Sequence, residues 1–178
     1  HDLVRTNDEI ILVAEVYYPN YKNSSPVLAG GANRIYARTF DGFRYTHALV
    51  VGFDKYGKLL WDNCFSIKDL VSYDLQQMVQ LTKINDYYVL AYPQEGSIRT
   101  EVISRSNVIV EPEKYDLTPL AVNEKVLFSE NANLGAWYEN NFLAYGVQRI
   151  ANEKAPAGSA PREVFYINKL AYRLPNTQ

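Results

Sequence analysis

Short apolar runs separated by polar turn residues recur along this chain, and their length and spacing are those of strands. Ile10-Ile11-Leu12-Val13-Ala14 follows Asn7-Asp8, Tyr87-Tyr88-Val89-Leu90-Ala91-Tyr92 follows Asn85-Asp86, and Phe142-Leu143-Ala144-Tyr145 follows Asn140-Asn141. Asn and Asp tolerate left-handed backbone angles and bond their own backbone. Each pair therefore reads as a tight turn that closes a hairpin between the run and a strand before it. Those preceding strands are expected at 3–6, 78–84 and 134–139.

A second hairpin follows the first. His47-Ala48-Leu49-Val50-Val51-Gly52-Phe53 runs into Asp54-Lys55-Tyr56-Gly57 and returns as Lys58-Leu59-Leu60-Trp61-Asp62, with Gly57 placed to take a positive φ. Its counterparts are 98–104 with 107–111, and 163–168 with 169–174, the latter turning at Asn168. Each copy would contribute four short strands. Between copies, Leu70, Val71, Leu75 and Met78 have a helical spacing over 67–80, with Ser66 or Asp69 able to cap it, but the strand trend outweighs it.

The turn into an Asn-Asp-apolar run, followed by Phe53-Asp54 and then Gly57-Lys58-Leu59-Leu60-Trp61, resembles the blade of a quinoprotein-like β-propeller of bacterial secreted and surface proteins. The resemblance implies antiparallel four-stranded blades repeated along the chain. The expected fold is thus all-β, a single module over 1–178 with about three units, roughly 1–66, 67–120 and 121–178, forming a partial propeller. It also implies an extracytoplasmic, secreted or envelope location. No quinone cofactor carries over, because its ligands have no counterparts in this sequence. Three units fall short of the four or more a closed ring needs. Exposed sheet edges then call for a protein partner or the rest of a longer chain, unless the strands form another arrangement such as a sandwich.

Composition sharpens this picture in two places. Fifteen Tyr, with Phe and Trp, bring aromatics to 13% of 178 residues, which favours pleated surfaces. A net charge of −2 gives no cationic footprint for nucleic acid, and no apolar run reaches membrane-spanning length. The start at His1 reads as that of a processed or excised segment.

Candidate chemistry is sparse. His1 and His47 are the only histidines and Cys64 the only cysteine, so no structural zinc set can be assembled. Asp54 supplies one carboxylate before Gly57, which reads as a turn and not a calcium loop. His47 sits in a strand-like run and reads as a hydrogen-bonded structural residue; Cys64 reads as a small buried hydrophobe beside Phe65. No catalytic, metal or cofactor residue is assigned. Acids for glycoside hydrolysis exist at Glu15, Asp41, Glu101, Glu111 and Glu139, but sequence cannot pair them. Glu15 interrupts an apolar run, and its alternation with Ala14 and Val16 suggests an outward-facing position. Trp61 and Trp137 read as packing residues.

The insertion at 19–45 holds Tyr21, Arg34, Tyr36, Arg38, Phe40 and Arg44 among its turn residues. Tyr21, Arg34, Tyr36 and Arg38 are the ligand-binding candidates, because aromatic rings and guanidinium groups on a loop suit sugars and protein surfaces. The leading expectation is a non-catalytic binding or assembly module. The alternatives are a glycan-binding module, marked by a coplanar aromatic platform, and a hydrolase, marked by two carboxylates facing one cleft.

Overall fold

The computed structural model describes residues 3–23, 38–117, 121–156 and 158–174. Among them there are eleven strands and no helix: β1 (Val4–Arg5), β2 (Ile10–Asn23), β3 (Arg38–Phe53), β4 (Leu59–Ser72), β5 (Gln80–Ile84), β6 (Tyr87–Gln94), β7 (Ser97–Ser104), β8 (Asn107–Asp116), β9 (Glu124–Ala136), β10 (Asn141–Asn152) and β11 (Arg162–Ala171). Within each sheet, strands adjacent in sequence pair antiparallel. They form three meanders in the orders β1-β2-β3-β4, β5-β6-β7-β8 and β9-β10-β11. We call these the first, second and third sheets. No helix among the described residues is long and apolar enough to cross a membrane.

The turn chemistry explains the meanders. Asn85 takes φ 55° between β5 and β6, as the Asn-Asp pattern requires, whereas in the third copy Glu139 takes φ 56° in place of either Asn. Asp54 organises the β3–β4 turn: its Oδ1 accepts from the amides of Tyr56 and Lys58 at 2.8 and 2.9 Å, and Gly57 has φ 83°. Only Gly carries that angle without strain.

The second sheet lies between the other two. Tyr88, Leu90 and Tyr92 of β6 face the first sheet with Ile11, Val13, Val50, Trp61 and Phe65, while Val89 and Ala91 face the third with Leu134, Phe142 and Ala144. Period-two alternation thus sends the single apolar run of β6 into two cores. Ring contacts seal the first, Trp61 with Tyr88 at 5.6 Å and Phe65 with Tyr92 at 5.4 Å. Polar bridges cross both joints: the Lys68 amide donates to Tyr92 Oη at 2.9 Å, and Thr82 Oγ1 donates to the Glu139 carbonyl at 2.8 Å.

Several sequence expectations need correction. The first sheet reaches Ser72, so the unit boundary drawn at 66 falls inside β4. The third sheet has three strands, because 162–171 is one continuous strand with Asn168 inside it. The strand expected at 134–139 is instead β9, starting at Glu124. The described ends of the 19–45 insertion continue β2 and β3 as an extended hairpin. Cys64 is exposed, since alternation that buries Phe65 must turn its neighbour outward. His47 is exposed for the same reason, its neighbour Ala48 being buried. Glu15 shares the inward face with Val13, and its carboxylate accepts from the amides of Met78 at 2.9 Å and Val79 at 2.5 Å. Trp61 is buried as expected, whereas Trp137 is half exposed against Tyr138.

Trp61 also fixes a close approach. A Cβ built on Gly52 would lie 2.3 Å from the indole Cε2 and Nε1, and that Nε1 donates to the buried Glu9 carboxylate at 3.0 Å. Gly52→Ala should therefore destabilise the chain by about 2–4 kcal/mol, combining overpacking with loss of a charge-assisted hydrogen bond. Urea unfolding measures this, and an unchanged midpoint contradicts the described packing.

Candidate functional site

The β2–β3 hairpin carries what the structure describes of the ligand-binding candidates. Tyr21 pairs with Phe40 and Asn23 with Arg38, so Tyr21 and Arg38 lie on adjacent strands at the far end of the hairpin, both exposed. Arg34 and Tyr36 lie outside the described residues. Tyr21 belongs to a row of rings running back to the core: Tyr21 to Phe40 at 6.0 Å, Phe40 to Phe43 at 5.1 Å, Phe43 to Tyr17 at 5.7 Å and Tyr17 to Tyr45 at 5.5 Å. The first three pairs cross at 73°, 68° and 82°. Edge-to-face stacking of this kind favours ring cohesion. At its base the buried Tyr45 hydroxyl donates to the Gln76 carbonyl at 2.9 Å, and burial pushes its phenol pKa up.

Asp41 ties the hairpin to the chain beyond β4. Its carboxylate accepts from Lys22 Nζ at 2.8 Å and Tyr73 Oη at 3.0 Å, and these bonds hold its pKa below the ordinary carboxylate value. The bulge beside it needs Gly42, at φ 86°, because a Cβ there would meet Val71 Cγ1 at 2.7 Å and the Ser72 carbonyl at 2.9 Å.

Besides a concavity of about 600 Å³ lined by Glu15, Tyr17, Tyr45 and Gln76, two others adjoin the sheets. The larger, about 970 Å³, is lined by the end of β4, the β6–β7 turn and β9, with Arg44 beside Asp69, Asp74, Glu95 and Glu130. Among the described residues no three His, Cys, Asp or Glu side chains gather as a metal site. The smaller, about 310 Å³, surrounds Glu9, whose carboxylate pairs with Arg105 at 2.9 Å and accepts from Trp61 and, at 3.4 Å, Tyr88. The contacts with Arg105 and Tyr88 join the first sheet to the second, while the bond from Trp61 lies within the first. Burial, followed by the Glu9 charge, pushes the Tyr88 phenol up to about 12.

Glu101 is the most perturbed carboxylic acid. It is 4% exposed on β7, and its Oε1 has no hydrogen-bond partner among the described residues. Burial first, and the nearby Glu111 second, push its pKa up to about 7. It lines none of these concavities, so a raised acid and a multi-acid cleft do not coincide.

The end faces of the stack are the feature that sequence reasoning missed. On the third sheet, inward Phe142, Ala144 and Gln148 leave Leu143, Tyr145 and Val147 pointing away, and these pair with Lys169, Ile167 and Phe165 of β11. Phe165 is 63% and Ile167 62% exposed. On the first sheet, inward Ala48 and Val50 leave Leu49 and Val51 outward, opposite Ala14 and Leu12 of β2, with Leu49 42% exposed. The signal was present in Ala48-Leu49-Val50-Val51 and Val164-Phe165-Tyr166-Ile167. A strand apolar at successive positions is written for burial on both faces.

Compared with family models, characterised proteins and solved structures, the chain matches none.

The buried acid generates a pH dependence. The raised folded pKa of Glu101 means the folded chain holds a proton that the unfolded chain releases. Stability is therefore greatest below the ordinary value of 4.5 and falls as pH rises towards about 7. At 1.36 kcal/mol per unit the full effect is about 3 kcal/mol. Glu101→Gln should remove most of this slope and stabilise the chain at pH 8; parallel slopes in the two proteins contradict the assignment.

Proposed function

We propose that the chain is a non-catalytic assembly module, a propeller-like arc whose end sheets are covered by protein. One observation carries the reading. β6 is apolar on both faces and covered on both, while β3 and β11 have the same kind of sequence and are covered on one. Contiguous exposed apolar surface of this sort marks interaction sites on soluble proteins. Each meander follows the next in sequence order, as blades do, which supports the propeller-like form. An extracytoplasmic setting belongs to this proposal through the blade resemblance alone.

Sugar recognition is the second reading, favoured by the exposed row of Tyr17, Phe40 and Tyr21 with Arg38 at the hairpin's end. The described rings cross steeply instead of forming a coplanar platform, so the assembly reading takes precedence.

Association that covers the end faces links stability to concentration. The thermal midpoint should rise with protein concentration, and the mass in sedimentation equilibrium should exceed the 20.4 kDa of one chain. A constant midpoint together with a mass of 20.4 kDa at every concentration contradicts the proposal.

A further inference from the structure

Resting on that assembly reading, we infer that the occupant is a second copy of this chain, with the outer face of its first sheet against the outer face of the third sheet. Two copies so arranged are related by a twofold axis and use both end faces of each, giving a closed stack of six sheets.

The argument begins with the internal joints. The first sheet packs on one face of the second and the third on the other, in both cases with alternate side chains of meandering strands meeting face to face. Laying the third sheet of one copy on the first sheet of another repeats that contact without a new kind of surface. Leu49 stands mid-face on the first sheet, flanked across the strands by Ala14 and Cys64, and Ile167 lies midway along the edge strand β11 of the third sheet, opposite Tyr145.

Area supports two contacts more than one. The third sheet has strands of 13, 12 and 10 residues. At about 3.3 Å per residue and about 4.8 Å between strands, its projected face is roughly 500 Å². A standard stable interface buries about 800 Å² per partner. One such face falls short, whereas a closed pair engages two on each chain, roughly 1,000 Å² in projection. A twofold closed pair is also the commonest soluble assembly.

The test is the mass of variants altered on one face each. Light scattering of the native chain should give twice 20.4 kDa. Leu49→Glu and Ile167→Glu each disable one face, so each alone should fall to single-chain mass. Val16→Glu and Phe165→Glu are the replacement variants for the two faces should either misfold by circular dichroism. If either variant stays paired, the face pairing is overturned and the assembly reading survives. If the native chain is a single copy at all concentrations, both fall.

Discussion

The rest of the structure depends on the burial of β6 on both faces. Tyr88, Leu90 and Tyr92 alternate with Val89 and Ala91 along eight residues, and neither set can be left in water. Fully burying side chains of this size is worth about 1.5–3 kcal/mol each. A sheet with two apolar faces must have a layer on each side, so the first and third sheets take their places from this one strand. Polar groups then fix the registers of the joints: Glu15 on the amides of Met78 and Val79, Glu9 on Tyr88 and Arg105, and Thr82 on the Glu139 carbonyl.

The same logic carries outward to the end sheets. The stack is satisfied inside and unsatisfied at its ends, since β3 and β11 repeat the two-sided apolar pattern without a second cover. Its acids serve the joints more than any chemistry: Glu9 and Glu15 link sheets, Asp41 holds a hairpin, and Glu101 is sealed away from the concavities. That distribution is why the functional reading rests on surfaces.

Much of the fold could be read from the chain because strand signals are local. Asn85-Asp86 and Asp54 with Gly57 made their hairpins through backbone preferences that need no distant partner. The third copy was misread because Asn168 looks like a turn residue, yet ten consecutive pairings with β10 hold it in a strand. Side-chain direction was less legible. Cys64 and His47 were assigned by residue type and Glu15 by its alternation with Ala14 and Val16, while the face shared with or opposed to Phe65, Ala48 and Val13 decided where they point. Of the candidate site, Tyr21 and Arg38 lie on adjacent strands at the hairpin's end, but the bare end faces depend on which sheets stack, and that is a long-range fact.

Native-state hydrogen exchange tests the central constraint most directly. A strand enclosed by two layers can exchange its amides only when the whole stack opens. The amides of Val89, Leu90 and Ala91 should be the slowest in the chain, with an opening free energy equal to that of global unfolding. If they exchange as fast as the amides of the exposed edge strand β8, then β6 is not the doubly covered centre, and the account of the fold and of its unfilled ends fails with it.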